Sequence, residues 1–147
     1  MLHQLCLIRK GMFLMLAKLM QLPKICLNYS QINGWWRIEN YDKMYKAMES
    51  VANDIGVNII APKSELGVAK GVSYTMTKEV ALNPRNSQLQ NVKTLLHELA
   101  HAKLHTANTR HKYSKAEKEF QAEMVAYSVC SYFNIDTSEY SLSYLNH

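Results

Sequence analysis

The chain has 147 residues, of which 48% are hydrophobic and 20% charged, values that exclude a disordered protein and suit one domain with its own core. No stretch supplies the ~20 apolar residues of a membrane-spanning helix, so we expect no membrane span. The net charge of +5 comes from scattered lysines and permits weak association with nucleic acid. Cys6, Cys26 and Cys130 are widely spaced without a C-x-x-C pair, which indicates free thiols and a cytoplasmic protein.

The first forty residues carry the weakest pattern in the chain. They predict a short helix that ends near Leu22, followed by an irregular stretch with a turn at Asn33-Gly34. Residues 41–55 are strongly periodic and predict an amphipathic helix that ends at Gly56. The apolar stripe of this helix comprises Tyr41, Met44, Tyr45, Met48, Val51, Ala52 and Ile55.

Three short segments with the pattern of β-strands follow this helix. They predict strands over residues 57–61, 71–77 and 79–83, separated by a break at Pro62 and by Lys78. Together the segments predict a small sheet between the first helix and the helices of the second half of the chain.

The next helix is well specified. Ser87 and Gln90 have the spacing of a capping box, and the apolar residues that follow recur at steps of three and four. This pattern predicts a helix over residues 88–106.

That helix contains HELAH, an H-E-x-x-H motif, at residues 97–101. Residues four apart lie on one face of a helix, so His97 and His101 can bind one Zn²⁺ ion while Glu98 reaches a water molecule on it. Glu98 would then be the general base that takes the proton of this water. The alternative is a surface helix with two solvated histidines, and the helical setting favours the metal site.

A catalytic zinc ion usually has three protein ligands, so one further side chain is needed. His105 lies on the motif face but ~6 Å further along the helix, too far to share the ion. We expect His105 on the polar exterior, where it could approach a substrate or cap the helix end. The downstream candidates that remain for the third ligand are His111, Glu117, Glu119, Glu123 and Cys130.

Glu119 and Glu123 are the most informative of these candidates. They lie four residues apart on an otherwise apolar helix, predicted to begin at the capping box of Ser114 and to end near Phe133. Burying two unpaired carboxylates is costly, and a metal ion with its histidine ligands would offset that cost. One glutamate can bind zinc while the other accepts the N–H of a ligand histidine. The residues alone leave open which glutamate has which role. The sequence of residues 136–139 is predicted to cap one last short helix.

The segments KTLLHELAHAKLH and EKEFQAEMVAYSVCSYFNIDTSEYS resemble the ImmA/IrrE-type zinc metallopeptidases, and within them the ArdC- and LtrC-like proteins of conjugative elements and phages. The resemblance implies an α+β, zincin-like fold over residues 41–147. In such a fold a small mixed or antiparallel sheet packs against the H-E-x-x-H helix and a second ligand-bearing helix. It also implies one Zn²⁺ per chain. The family pattern E-x-x-A-(N/D/E)-x-x-A is matched by Glu119, Ala122, Glu123 and Ala126, which implies that Glu119 is the third ligand and that Glu123 orients a histidine.

The function implied by the resemblance is zinc-dependent hydrolysis of peptide bonds, encoded by a mobile element or phage and directed at a regulatory protein such as a repressor. We expect the predicted strand 79–83 to form the sheet edge beside the site and to bind an extended peptide. His105, Tyr140 and Tyr144 are candidates for contacts with the substrate or the developing oxyanion. Residues 1–40 are interpreted as the remnant of a larger parent protein.

Two other functions are compatible with the sequence. One is a non-proteolytic, DNA-associated antirestriction or conjugation accessory module that retains a zincin fold, which the positive charge favours. The intact Glu98 counts against it, because a structural metal site needs no general base. The other is an interaction protein without a metal, from which metal analysis would distinguish a zinc protein.

Overall fold

The computed structural model describes residues 29–32, 35–38, 41–133 and 135. In chain order the described elements are β1 (Tyr29–Ile32), β2 (Trp35–Ile38), α1 (Tyr41–Asp54), β3 (Asn58–Ile60), β4 (Gly71–Tyr74), β5 (Glu79–Leu82), α2 (Gln88–Leu104), a 3₁₀ turn (Arg110–Lys112) and α3 (Lys115–Tyr132). This is the mixed α+β architecture that the sequence predicts, and the fold prediction is confirmed.

The three-stranded sheet has the order β3-β5-β4, with β3 parallel and β4 antiparallel to β5. The prediction that residues 79–83 form the sheet edge beside the site is wrong, because β5 pairs on both sides. Its Val80 and Ala81 are fully buried, as expected of a central strand. Within the described residues β4 pairs on one side, and it is β4 that lies beside the site.

Two further predictions about strands need correction. The strand predicted over residues 71–77 ends at Tyr74, and residues 75–78 form a turn in which Lys78 has a φ of 54°. The stretch predicted to be irregular before residue 41 contains the antiparallel hairpin β1–β2, in which Ile32 pairs with Trp35. The sequence pattern there predicts a turn but not the two short strands.

The helices agree with the sequence to within about two residues at their ends. Ser87 Oγ accepts a hydrogen bond from the Gln90 backbone N–H at 3.2 Å, and Ser114 and Glu117 form both halves of a capping box. α2 packs against α1, α3 and the sheet, and it supplies the fully buried Leu95 to the core. Burial of one such leucine contributes about 1.5–3 kcal/mol.

The core is continuous through the three helices and the sheet. Its residues are Met44, Ala47, Met48, Val51, Ala52, Val57, Val80, Val92, Leu95, Leu96, Leu99, Ala100, Ala122, Val125, Ala126, Val129, Cys130 and Ile135. Most of the predicted stripe of α1 belongs to it. The core fixes α2 against α3, which determines how the side chains of these two helices meet.

Some predictions fall outside the described residues. These are the short helix predicted up to Leu22, the last short helix predicted to be capped by residues 136–139, and the positions of Tyr140 and Tyr144. Among the residues that the structure does describe, none of the helices has the length and apolar character needed to cross a membrane.

Candidate metal centre and catalytic cleft

An open cleft of about 650 Å³ lies between α2, the first half of α3 and β4. The H-E-x-x-H face of α2 forms its floor, with His97, Glu98 and His101 among the lining residues. Glu119 and Glu123 of α3 line the same cleft. The predicted site residues of the two helices therefore come together, as helical spacing and the amphipathic pattern require.

His97, His101 and Glu119 converge at the centre of the cleft. The two Nε2 atoms are 3.0 Å apart, and Glu119 Oε2 lies 3.4 Å from His97 Nε2 and 3.5 Å from His101 Nε2. One ligand atom from each residue falls within 4.8 Å of the others, a group of the size that holds a metal ion. Two imidazole nitrogens and one carboxylate oxygen are the ligands of a catalytic zinc site that keeps an open position.

His97 is oriented from behind by Glu123. Its Nδ1 lies 3.2 Å from Glu123 Oε2, and the second oxygen of Glu123 forms a buried ion pair with Lys93 Nζ at 2.9 Å. A carboxylate accepts the Nδ1–H of His97, which leaves the lone pair of Nε2 directed at the cleft. Lys93, 6% exposed, is a residue that the sequence prediction missed. The sequence feature that could have indicated Lys93 is its position four residues before His97, on the same face of α2.

His105 is only 3% exposed, so its prediction on the polar exterior is wrong. It is the C-cap residue of α2, and its Nε2 lies 3.0 Å from Gln121 Oε1 while its Nδ1 lies 3.0 Å from His101 Nδ1. Because the amide oxygen accepts, His105 donates through Nε2–H and its Nδ1 accepts the Nδ1–H of His101. The error arose because α3, which covers the last turn of α2, is not visible in the periodicity of α2 alone.

These two sets of contacts decide whether a metal ion fits. In their neutral forms, with Nδ1–H donated to Glu123 and to His105 respectively, His97 and His101 both present an unprotonated Nε2 to the same point as the Glu119 carboxylate. Three acceptors so close together need a cation between them. The residues therefore fit a zinc ion.

The pKa values of His97 and Glu119 in the metal-free site also indicate that positive charge is favoured at this point. Burial lowers the pKa of His97, but the hydrogen bonds to Glu119 and Glu123 outweigh it and raise the pKa to about 9. Hydrogen bonds from His101 and His97 hold the pKa of Glu119 well below its usual range. A proton on His97 therefore partly supplies the positive charge that a metal ion would bring.

Glu98 points into the cleft but is not one of the three converging residues. It is 9% exposed, and burial raises the pKa of its carboxyl group against the opposing influence of His97 and His101. Gly71 of β4 packs directly on its side chain: a Cβ at this position would lie 2.6 Å from Thr94 Cγ2 and 3.1 Å from Glu98 Cγ. A glycine inside a predicted strand signals such a close approach.

The other candidate ligands lie elsewhere. His111 is exposed on the 3₁₀ turn, and Glu117 is used in the capping box of α3. Cys130 is fully buried in the core and is not part of the cleft lining, so it is no alternative ligand.

Residues 52–145 match the model of the M78 peptidase family, described as the IrrE N-terminal-like domain. The chain belongs to this family. The family prediction is thereby confirmed, while the closer likeness to the ArdC- and LtrC-like proteins stays a prediction. An uncharacterized protein of Bacillus anthracis is 32% identical over 133 residues, which are 84% of this chain and 22% of that protein. No solved structure matches the chain.

Proposed function

We propose that this member of the M78 family is a zinc-dependent peptidase, with its peptidase domain over residues 41–147. The observation that carries the proposal is the convergence of His97 Nε2, His101 Nε2 and the Glu119 carboxylate in an open cleft that also holds the buried Glu98. A structural zinc site would be closed by a fourth protein ligand, whereas a catalytic site keeps one position open.

The proposed chemistry divides between the metal and the chain. A bound zinc ion lowers the pKa of water and polarises a peptide carbonyl group. Glu98 accepts the proton of the attacking water and passes it to the leaving amine. Burial favours the first step, because it raises the pKa of the Glu98 carboxyl group and so makes the carboxylate a better proton acceptor.

The substrate would bind as an extended segment along β4. Residues 71–73 of this strand line the cleft, and in the described part of the chain β4 pairs only with β5. Its other side can add a substrate strand through backbone hydrogen bonds. A mobile-element origin and a repressor-type substrate belong to the proposal through the resemblance alone.

Zinc content tests the metal site. We expect one zinc ion per purified chain, and loss of the metal in His97→Ala and in His101→Ala, because each change removes one of three protein ligands. Zinc is measured by elemental analysis after mild dialysis. His111→Ala, which removes an exposed histidine outside the cleft, is the matched control and should keep its zinc. Undiminished zinc in both His97→Ala and His101→Ala would remove the proposed site.

The contact between His105 and His101 gives a second expectation. His105→Leu removes the acceptor for His101 Nδ1–H and should weaken zinc binding by about 10–100-fold, the usual effect of a group that orients a metal ligand. His105→Asn places an amide oxygen near the position of Nδ1 and should bind zinc within a few-fold of wild type. Affinity is measured by competition with a chelator of known strength.

Both His105 variants lose the contact with Gln121, so their difference isolates the acceptor offered to His101. Thermal unfolding of the metal-free proteins serves as the control for general destabilisation. A purely structural role would lower the melting temperature of both variants and leave their zinc affinities equal. That result would overturn the assignment of His105.

A further inference from the structure

The lining of the cleft is rich in positive charge. Four cationic side chains beyond the proposed metal site line it: Lys70, directly before β4, stands on the sheet side, and Arg110, Lys115 and Lys118 stand on the 3₁₀ turn and the first turn of α3. Lys70, Arg110 and Lys115 are exposed, and Lys118 is half-buried. A peptide lying in the cleft would therefore pass between cations on both sides.

The carboxylates of the cleft cannot neutralise these cations, because each already has a role. They are Glu98, Glu119 and Glu123. Glu119 lies against two histidines, and Glu123 forms the ion pair with Lys93. With zinc bound, the three carboxylates would balance its two charges and the single charge of Lys93. Among the described residues that line the cleft, no further carboxylate then remains to compensate the four outer cations.

We propose, building on the peptidase function above, that the substrates are acidic: the cleft takes extended segments with Asp or Glu side chains on either side of the cleaved bond. A concave site lined by one sign of charge concentrates ligands of the opposite sign. Cations on both walls can meet acidic side chains on both sides of an extended chain, because alternate side chains of a strand point to opposite faces.

A nucleic acid is the other polyanion that such a cleft could attract. The lining residues favour the peptide, because those that the structure describes include no Phe, Tyr or Trp on which unpaired bases could stack. The free side of β4 in the described part of the chain also offers backbone groups that suit a peptide strand.

Peptide capture tests this proposal apart from hydrolysis. Zinc-loaded Glu98→Gln, which should bind substrate without cleaving it, is immobilised and incubated with a random peptide library. The retained peptides are identified by mass spectrometry, and we expect enrichment of Asp and Glu. A retained peptide and its Asn/Gln counterpart are then compared by fluorescence anisotropy. We expect about tenfold tighter binding of the acidic peptide, from two or three exposed charge pairs, and a smaller difference at high salt.

Paired lysine substitutions locate the effect. Lys115→Gln/Lys118→Gln should lose most of the preference, whereas Lys43→Gln/Lys46→Gln, which removes the same charge from the exposed side of α1, should keep it. Equal behaviour of the two pairs, or retention of peptides without acidic enrichment, would overturn the proposal. Tighter binding of a twelve-residue oligothymidylate than of any retained peptide would overturn it in favour of nucleic acid.

The tests of the acidic ligand class and of peptide hydrolysis can give different results. Acidic enrichment in the capture experiment, with no cleavage of the same peptides by the zinc-loaded wild type, would contradict hydrolysis and support the ligand class. Cleavage of peptides without acidic residues at undiminished rates would contradict the ligand class and support hydrolysis.

Discussion

Replacing Glu98 with glutamine is expected to lower the rate of peptide cleavage by about 10²–10⁴-fold while leaving zinc and fold in place. The amide has almost the volume of the carboxylate, so packing against Gly71 is kept. It cannot accept the proton of the attacking water, and Glu98 is not one of the three residues that converge on the metal position. The rate is measured on a peptide that the wild-type protein cleaves.

Glu49→Gln is the matched control for this experiment. Glu49 is exposed on α1 and does not line the cleft, so the same chemical change there should leave the rate unchanged. Zinc content and thermal stability of Glu98→Gln should equal those of the wild type. Activity of Glu98→Gln within a few-fold of wild type would remove this residue from the mechanism.

The parts of the site that the sequence predicts are those governed by local periodicity. His97 and His101 share a face because a helix repeats every 3.6 residues, and the capping sequences around Ser87 and Ser114 define where both helices begin. Glu119 and Glu123 stand out because the residues that follow them on this helix are mostly apolar. Once both helices are known, the hydrophobic core brings these faces together.

The parts that the sequence does not predict depend on packing between distant segments. The residues Val80 and Ala81 are compatible with an edge strand as well as with a central strand, because either kind of strand can carry apolar side chains. β5 is central only because it pairs with both β3 and β4. The sequence predicts His105 at the exterior because its hydrogen-bond partner Gln121 lies sixteen residues away, on another helix. The sequence predicts a solvated lysine at position 93. Its burial is explained by the ion pair with Glu123 across the interface of α2 and α3.

The second large effect expected concerns the third ligand. Glu119→Ala should lose zinc, because it removes a metal–oxygen bond from a site with three protein ligands. Glu123→Ala should keep zinc with an affinity reduced by about 10–100-fold, because Glu123 contacts His97 Nδ1 on the side away from the converging Nε2 atoms. The Glu119 side chain is 36% exposed, so its truncation leaves no buried cavity and the loss of zinc will not reflect unfolding.

Glu123→Ala also affects the stability of the protein, and the experiment must separate this effect from the effect on zinc binding. It removes the buried ion pair with Lys93, which should lower the stability of the metal-free protein. Glu123→Gln is the matched variant, since its amide oxygen can still accept the Nδ1–H of His97. Thermal unfolding of the metal-free variants then reports the stability change independently of zinc.

Zinc content per chain in Glu119→Ala and Glu123→Ala, dialysed side by side, is the most direct measurement of the proposed metal centre. The geometry of His97, His101 and Glu119 predicts about one zinc per chain in Glu123→Ala and almost none in Glu119→Ala. The reverse order would show that Glu123 is the ligand and that the assigned centre is wrong. Full retention of zinc in both variants would place the third ligand outside α3.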